Sequence, residues 1–313
     1  MNNTLYMVIP CFNEESVLPE TSKRLLSKYE KLIADGKISG DSKILFVDDG
    51  STDDTWNLIS AYHKMSPLFR GLKLSRNRGH QNALLAGLMT AKEECDMAIS
   101  MDSDLQDDIN SIDEMIDKYL EGCEIVFGVR SSRATDTFFK RFTAEAFYKG
   151  MQLLGAEVVF NHADYRLMSK KALDALSEYG EVNLFLRGMV PMLGYKTDIV
   201  YYERGERFAG ESKYPLKKMV SFALDGVTSL TDRPIKFVLS LGIAVLAASF
   251  VSLPIAAIRY ATNKESNGVG LILSSIWAAT GLSVTATGVV GYYIGKIYME
   301  TKGRPRYFIE EIL

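Results

Sequence analysis

Residues Ile99–Gln106 read I-S-M-D-S-D-L-Q, an apolar run that ends in two aspartates, Asp102 and Asp104, one residue apart. A buried strand ending there delivers two hard oxygen ligands to the carboxyl edge of a sheet, where open α/β sheets bind their ligands. Paired carboxylates suit Mg²⁺ or Mn²⁺, and either ion suits a diphosphate. A polar strand end running into an acidic turn is the competing explanation, because Asp107 and Asp108 continue the negative run. Three other short stretches concentrate the polar peculiarities of the first half: Pro10–Glu15, Asp48–Asp53 and Ser75–His80.

Elements must place these stretches together. Short apolar runs at Leu5–Ile9, Ile44–Val47, Gly71–Leu74, Met97–Met101 and Ile125–Val129 read as strands. Between them, Glu15–Ala34, Thr55–Lys64, Gln81–Ala91 and Ile112–Leu120 read as helices. Alternation of this kind predicts an α/β fold with a mostly parallel sheet and helices on both faces, so the four polar stretches become loops converging at its carboxyl edge. Further on, Phe138–Leu154 reads as a long amphipathic helix, a helix starts near Ser169, a strand is expected at Asp198–Tyr202, and Arg207–Tyr214 reads as a loop rich in Gly and small polar residues.

The C-terminal third has a different character. Phe237–Ile258 contains no charged residue in 22 positions and Leu271–Ile294 none in 24, each close to the ~20 apolar residues that span a bilayer as a helix. Pro215–Leu230, with Lys217 and Lys218 near one end, suits a helix lying on a membrane surface. Basic residues flank the two runs on their outer sides, which predicts that both large ends of the chain lie in the cytoplasm. The expected organisation is a cytoplasmic catalytic domain over 1–214, an interfacial helix over 215–234, a hairpin of two transmembrane helices over 235–295 and a cytoplasmic tail over 296–313. This makes an integral, multi-pass membrane protein in contact with a lipid bilayer. Gly281, Ala286 and Gly288 offer small residues for close helix packing, within one chain or in a homo-oligomer.

Cys11, Cys95 and Cys123 show no paired or metal-ligand spacing, and His63, His80 and His162 are scattered, so zinc is not indicated. A formal net charge of -3 argues against nonspecific nucleic-acid binding, which needs an extended positive footprint.

With V-I-P-C-F-N-E-E, V-D-D-G-S-T-D-D-T, S-R-N-R-G, D-S-D-L-Q, H-A-D-Y-R-L and R-F-A-G-E-S-K-Y in that order, followed by two apolar runs, the chain resembles the polyprenyl-phosphate glycosyltransferases. These are inverting family 2 enzymes of the GT-A fold, similar to dolichyl-phosphate mannosyltransferase and bactoprenol glucosyltransferases. The resemblance implies that Pro10, Phe12, Glu14 and Asp49 hold the nucleotide, with Arg76, Asn77 and Gly79 beside the nucleotide-sugar. It implies that Asp102 and Asp104 sit at the diphosphate and that Asp102, Asp104 and Gln106 hold Mg²⁺ or Mn²⁺. Arg130, Arg133, Arg207 and Lys213 add positive charge, Arg207 acting in catalysis. Asp164 falls where the family carries its proposed catalytic base. It could instead orient Arg166 toward the acceptor phosphate, or form a structural ion pair with it. Ala163 and Tyr165 flank it where the family often has Gly and Phe.

The implied reaction moves one sugar from a UDP- or GDP-sugar onto polyprenyl phosphate with inversion, glucose and a UDP donor being the favoured pair. A GDP-mannose-dependent mannosyltransferase and a noncatalytic membrane scaffold are the alternatives.

Overall fold

A computed structural model describes residues 3–131, 162–181, 184–203 and 269–313. The first half alternates as its pattern dictates: β1 (Leu5–Cys11), α1 (Leu18–Ala34), β2 (Lys43–Asp48), α2 (Thr55–Met65), β3 (Phe69–Leu74), α3 (His80–Ala91), β4 (Met97–Ser100), α4 (Ser111–Leu120) and β5 (Ile125–Arg130). There follow β6 (His162–Ser169), α5 (Lys170–Ser177), α6 (Leu186–Met192), β7 (Thr197–Tyr202), α7 (Val269–Thr301) and β8 (Ile309–Ile312). The strands form one eight-stranded sheet in the order β7-β5-β6-β4-β1-β2-β3-β8. Pairs β1·β2, β2·β3, β1·β4 and β5·β7 are parallel, whereas β6 and β8 run antiparallel to their neighbours. The architecture is a GT-A-like α/β fold.

The core lies on both faces of the sheet because side chains alternate along each strand. Leu5, Met7 and Ile9 of β1 pack with Leu25 and Leu32 of α1 and Met115 and Ile116 of α4. Tyr6 and Val8 face the other way, toward Leu84, Ala86 and Leu88 of α3 and Leu186 and Val190 of α6. Helix α1 begins at Leu18, three residues later than the pattern suggests, because the carbonyl of Glu14 accepts the N–H groups of Val17 and Leu18 in a turn and Pro19 occupies the first helical turn.

The second half requires a correction. The expected multi-pass membrane placement, with its cytoplasmic catalytic domain, is overturned: among the described residues no helix is long and apolar enough to cross a membrane. The second apolar run falls in α7. The first run, the surface helix over 215–230 and the helix over 138–154 lie outside the described residues. After α7 the chain does not trail away as a tail. It returns to the sheet as β8, pairing Leu72 with Ile312 and Lys73 with Glu311.

Candidate active site

The order β3-β2-β1-β4 places the carboxyl ends of four parallel strands side by side, with β1 central. The loops after β1 and β2 are laced together. Asn13, held at φ 54°, donates its N–H to Ser51 Oγ at 2.9 Å and accepts the Thr52 N–H at Oδ1 at 2.9 Å. Glu14 N–H reaches Thr55 Oγ1 at 2.9 Å, and Asp54 N–H reaches the Glu15 carboxylate at 3.0 Å. Ser51 and Thr55 thus satisfy orphan donors of the neighbouring loop. Pro10 is buried in β1 opposite Val47, and Phe12 is exposed just beyond it.

Asp49 ties this pair of loops to the third. Its Oδ1 accepts the Arg78 N–H at 2.7 Å and its Oδ2 the Gly79 N–H at 2.8 Å. Burial pushes its carboxyl above the usual carboxylate range, with the two N–H groups opposing. The loops touch so closely that only glycine fits between them. Gly50 has φ +69°, and a Cβ there would lie 2.6 Å from the Asn77 backbone nitrogen. Asn77 itself is exposed at the rim of this junction.

Gly79, at φ 86°, opens α3, and His80 in its first turn reaches Asp102 Oδ1 at 3.0 Å. Beyond Asp102, Leu105 at φ 56° turns the chain, and Asp104 Oδ1 accepts the Gln106 N–H at 3.2 Å. Asp102, Asp104 and Gln106 are all half-buried on this loop. No three His, Cys, Asp or Glu side chains come together as a metal site among the described residues. Two carboxylates nevertheless fit Mg²⁺ or Mn²⁺, because such ions take one or two from protein and complete their shell with phosphate oxygens and water.

The antiparallel strand β6 brings in the next layer. Its register pairs Ser100 with Arg166 at the end of β4, and Asp164, two residues before Arg166, lies near enough to Asp102 that the two carboxylates act on each other's charge. Asp164 is buried, at 5% exposure. Its Oδ1 accepts from Arg166 Nη2 at 2.8 Å and Arg187 Nε at 3.2 Å, and its Oδ2 from Arg187 Nη2 at 2.9 Å. Burial alone would raise its carboxyl, but the Arg187 and Arg166 guanidinium groups and His80 outweigh burial and hold it well below the usual carboxylate range. Burial likewise pulls the His80 imidazole down, but its hydrogen bond to Asp102 and the charges of Asp102 and Asp164 leave it above its ordinary value.

Arg130, at the end of β5, lies 3.8 Å from Asp107, which also accepts the Tyr202 hydroxyl. Burial, with the negative charge of Asp102, pushes Asp107 up to about 6. The structure therefore brings Pro10, Phe12, Glu14, Asp49, Asn77, Asp102, Asp104, Gln106, Arg130 and Asp164 to one edge of the sheet, while Arg133, Arg207 and Lys213 lie outside the described residues.

Arg166 is fully buried, and its Nη1 donates to the Leu186 carbonyl at 3.2 Å, so it does not reach out to a substrate. His80 and Arg187 escaped the sequence reading. His80 had one signal, its place at the end of the third polar loop, Ser75–His80. Arg187 had none, since F-L-R-G-M-V-P-M contains no motif that separates its arginine from a surface one.

Fold and site together define a GT-A-like α/β domain with an acidic carboxyl edge, backed by the buried Arg166 and the half-buried Arg187. The chain belongs to glycosyl transferase family 2, whose sequence profile matches residues 6–177. It is 51% identical to "Uncharacterized glycosyltransferase YkoT" of Bacillus subtilis, over 98% of this chain and 91% of that protein. It is 37% identical to "Bactoprenol glucosyl transferase" of Shigella phage SfX, over 97% of this chain and 98% of that one. Among solved structures, glucosyl-3-phosphoglycerate synthase from Mycobacterium tuberculosis is 18% identical, covering 73% of this chain and 79% of that one with a TM-score of 0.45.

Proposed function

We propose that the protein transfers a single sugar, glucose favoured, from a UDP-sugar donor onto polyprenyl phosphate with inversion at the anomeric carbon. The observation that carries this reading is the nearness of Asp102, on the D-x-D loop and bonded to His80, to Asp164 and its two arginines, whose charges act on it. In this reading the acidic loop faces the donor and the guanidinium groups face the acceptor. Similarity over nearly full length to proteins named bactoprenol glucosyl transferase supports the lipid acceptor.

In this reading Pro10, Phe12, Glu14 and Asp49 with Asn77 line the nucleotide. Asp102, Asp104 and Gln106 hold Mg²⁺ or Mn²⁺ at the diphosphate. The ion, when bound, would act as a Lewis acid for the departing nucleoside diphosphate. Arg130, Arg207 and Lys213 supply further positive charge there. An acceptor phosphate oxygen attacks the anomeric carbon, the bond to the diphosphate oxygen breaks on the opposite face, and configuration inverts. Positioning and charge stabilisation supply most of the catalysis. A lipid monophosphate is already largely ionised near neutrality, its second pKa being about 6, so little proton removal is needed.

The test is incubation of the protein with polyprenyl phosphate, Mn²⁺ and a panel of labelled nucleotide sugars. Lipid-linked glucose from UDP-glucose is expected. Lipid-linked mannose from GDP-mannose alone would move the assignment to a mannosyltransferase, and no lipid-linked product from any donor would leave a noncatalytic scaffold.

A further inference from the structure

Asp164, Arg166 and Arg187 form one charge cluster, and of the three only Arg187 has a substantially exposed side chain, at 29%. We propose that Arg187 grips the acceptor's phosphate and that Asp164 is a positioning residue that holds Arg187, rather than a base that removes a proton. The inference rests on the transfer to a lipid phosphate proposed above.

Geometry carries the argument. Arg187 presents Nε and Nη2 to both oxygens of Asp164, the fork that fixes a guanidinium plane. Its backbone is fixed as well: the neighbouring Leu186 donates its N–H to Gln81 Oε1 at 2.9 Å, and the Leu186 carbonyl accepts from Arg166. The guanidinium is therefore pinned through both main chain and side chain. Its charge acts on Asp102, and a phosphate entering from that side meets a cation whose orientation is already set. Preorganisation of this kind is what an attacking oxygen needs, since little freedom is left to lose on binding.

Asp164 is badly placed to act as a base. Both its oxygens already accept from cationic donors, so protonating it removes the negative charge on which all three charge-assisted bonds depend. Arg166 cannot replace Arg187, because it has no exposed surface.

The test uses the full chain, with geranyl monophosphate as a soluble short acceptor and UDP as the control for an intact donor site. Wild type is expected to bind both in calorimetry. Losing charge-assisted hydrogen bonds to phosphate should weaken geranyl phosphate binding about 10- to 100-fold in Arg187→Gln. Arg187→Lys should lose less, and UDP affinity should stay within about twofold in both. In turnover, both variants should raise the acceptor KM more than they lower kcat.

Asp164→Asn should follow the same pattern, whereas a general base predicts a fall in kcat of about 10²- to 10⁴-fold with acceptor KM unchanged. Because Asp164→Asn disturbs a buried pair, the two Arg187 variants decide the question on their own. Geranyl phosphate binding that is absent in wild type, or unchanged in Arg187→Gln, overturns the inference. Arg187-dependent phosphate binding without sugar transfer from any donor overturns the transferase reading instead and leaves the phosphate site standing.

Discussion

Asp49→Asn separates two roles for the same carboxylate. The sequence motif implies contact with the nucleotide, whereas the structure shows both oxygens occupied by the Arg78 and Gly79 N–H groups at 2.7 and 2.8 Å. Asparagine keeps one acceptor oxygen and turns the other position into an NH₂ that faces an N–H donor. One bond falls from charge-assisted to neutral, and the other is lost with its donor left unmet. At about 1–2 kcal/mol for the first change and about 1–3 for the second, the variant should lose roughly 2–5 kcal/mol. That corresponds to a fall of roughly 5–15 °C in Tm for a domain of this size.

The loop released is the one that holds Asn77 and leads into His80, so UDP affinity should fall together with stability. Urea unfolding and UDP calorimetry on the same preparations read both. A variant within about 0.5 kcal/mol of wild type that no longer binds UDP would refute the latch and return Asp49 to direct nucleotide recognition.

Three further outcomes are expected. Arg166→Met removes a fully buried guanidinium from Asp164 and should cost about 3 kcal/mol in unfolding experiments, the low end for a broken buried pair because Arg187 stays; a loss below about 1 kcal/mol would refute it. Asp107 has a folded carboxyl raised to about 6, so the native state takes up a proton that the unfolded chain does not bind until near 3.9. Its contribution to stability is therefore present below pH 4 and lost as pH rises through about 6, worth roughly 2–3 kcal/mol. Asp107→Asn should lack that slope when unfolding is compared at pH 4.5 and pH 7, and matching slopes would contradict the assignment. Asp104→Asn should remove most of any gain in UDP affinity that Mn²⁺ provides, a comparison made by calorimetry with and without the ion.

The first half of the fold was legible because β1, β2 and β4 are uninterrupted apolar runs, each ending in a polar cluster. Their carboxyl ends then had to converge once the sheet was parallel. Strand β6 was hard to read for the opposite reason. Asp164 and Arg166 lie two residues apart on one face of a strand, and a buried charged face violates the apolar alternation that marks strands. The Asp164–Arg166 pair, the second pair with Arg187 from α6 and the bond from Arg166 to the Leu186 carbonyl together make that burial tolerable.

Helix α6 was hidden by its brevity and by Pro191 inside it. Strand β8, I-E-E-I, has too few residues and too many carboxylates to stand out from a solvated tail. The C-terminal third shows the limit of counting charges: their absence marked candidate spans, but among the described residues no helix is long and apolar enough to cross a membrane.

Strand β8 has a consequence for how the chain can be divided. Leu313 donates its N–H to the Gly71 carbonyl at 2.8 Å, Arg70 Nε bonds to the Leu313 oxygen at 3.1 Å, and Lys73 pairs with Glu310 at 3.1 Å. A sheet begun at residue 5 is thus sealed by a segment some 240 positions away from the strand it covers. Cutting the chain after 203 would keep most of the residues discussed above yet strip the guard from β3, leaving a row of bare amides open to pairing with another copy. A minimal fragment for biochemical work therefore has to carry β8 back in, either through the intact chain or by a short linker that returns it to the same register.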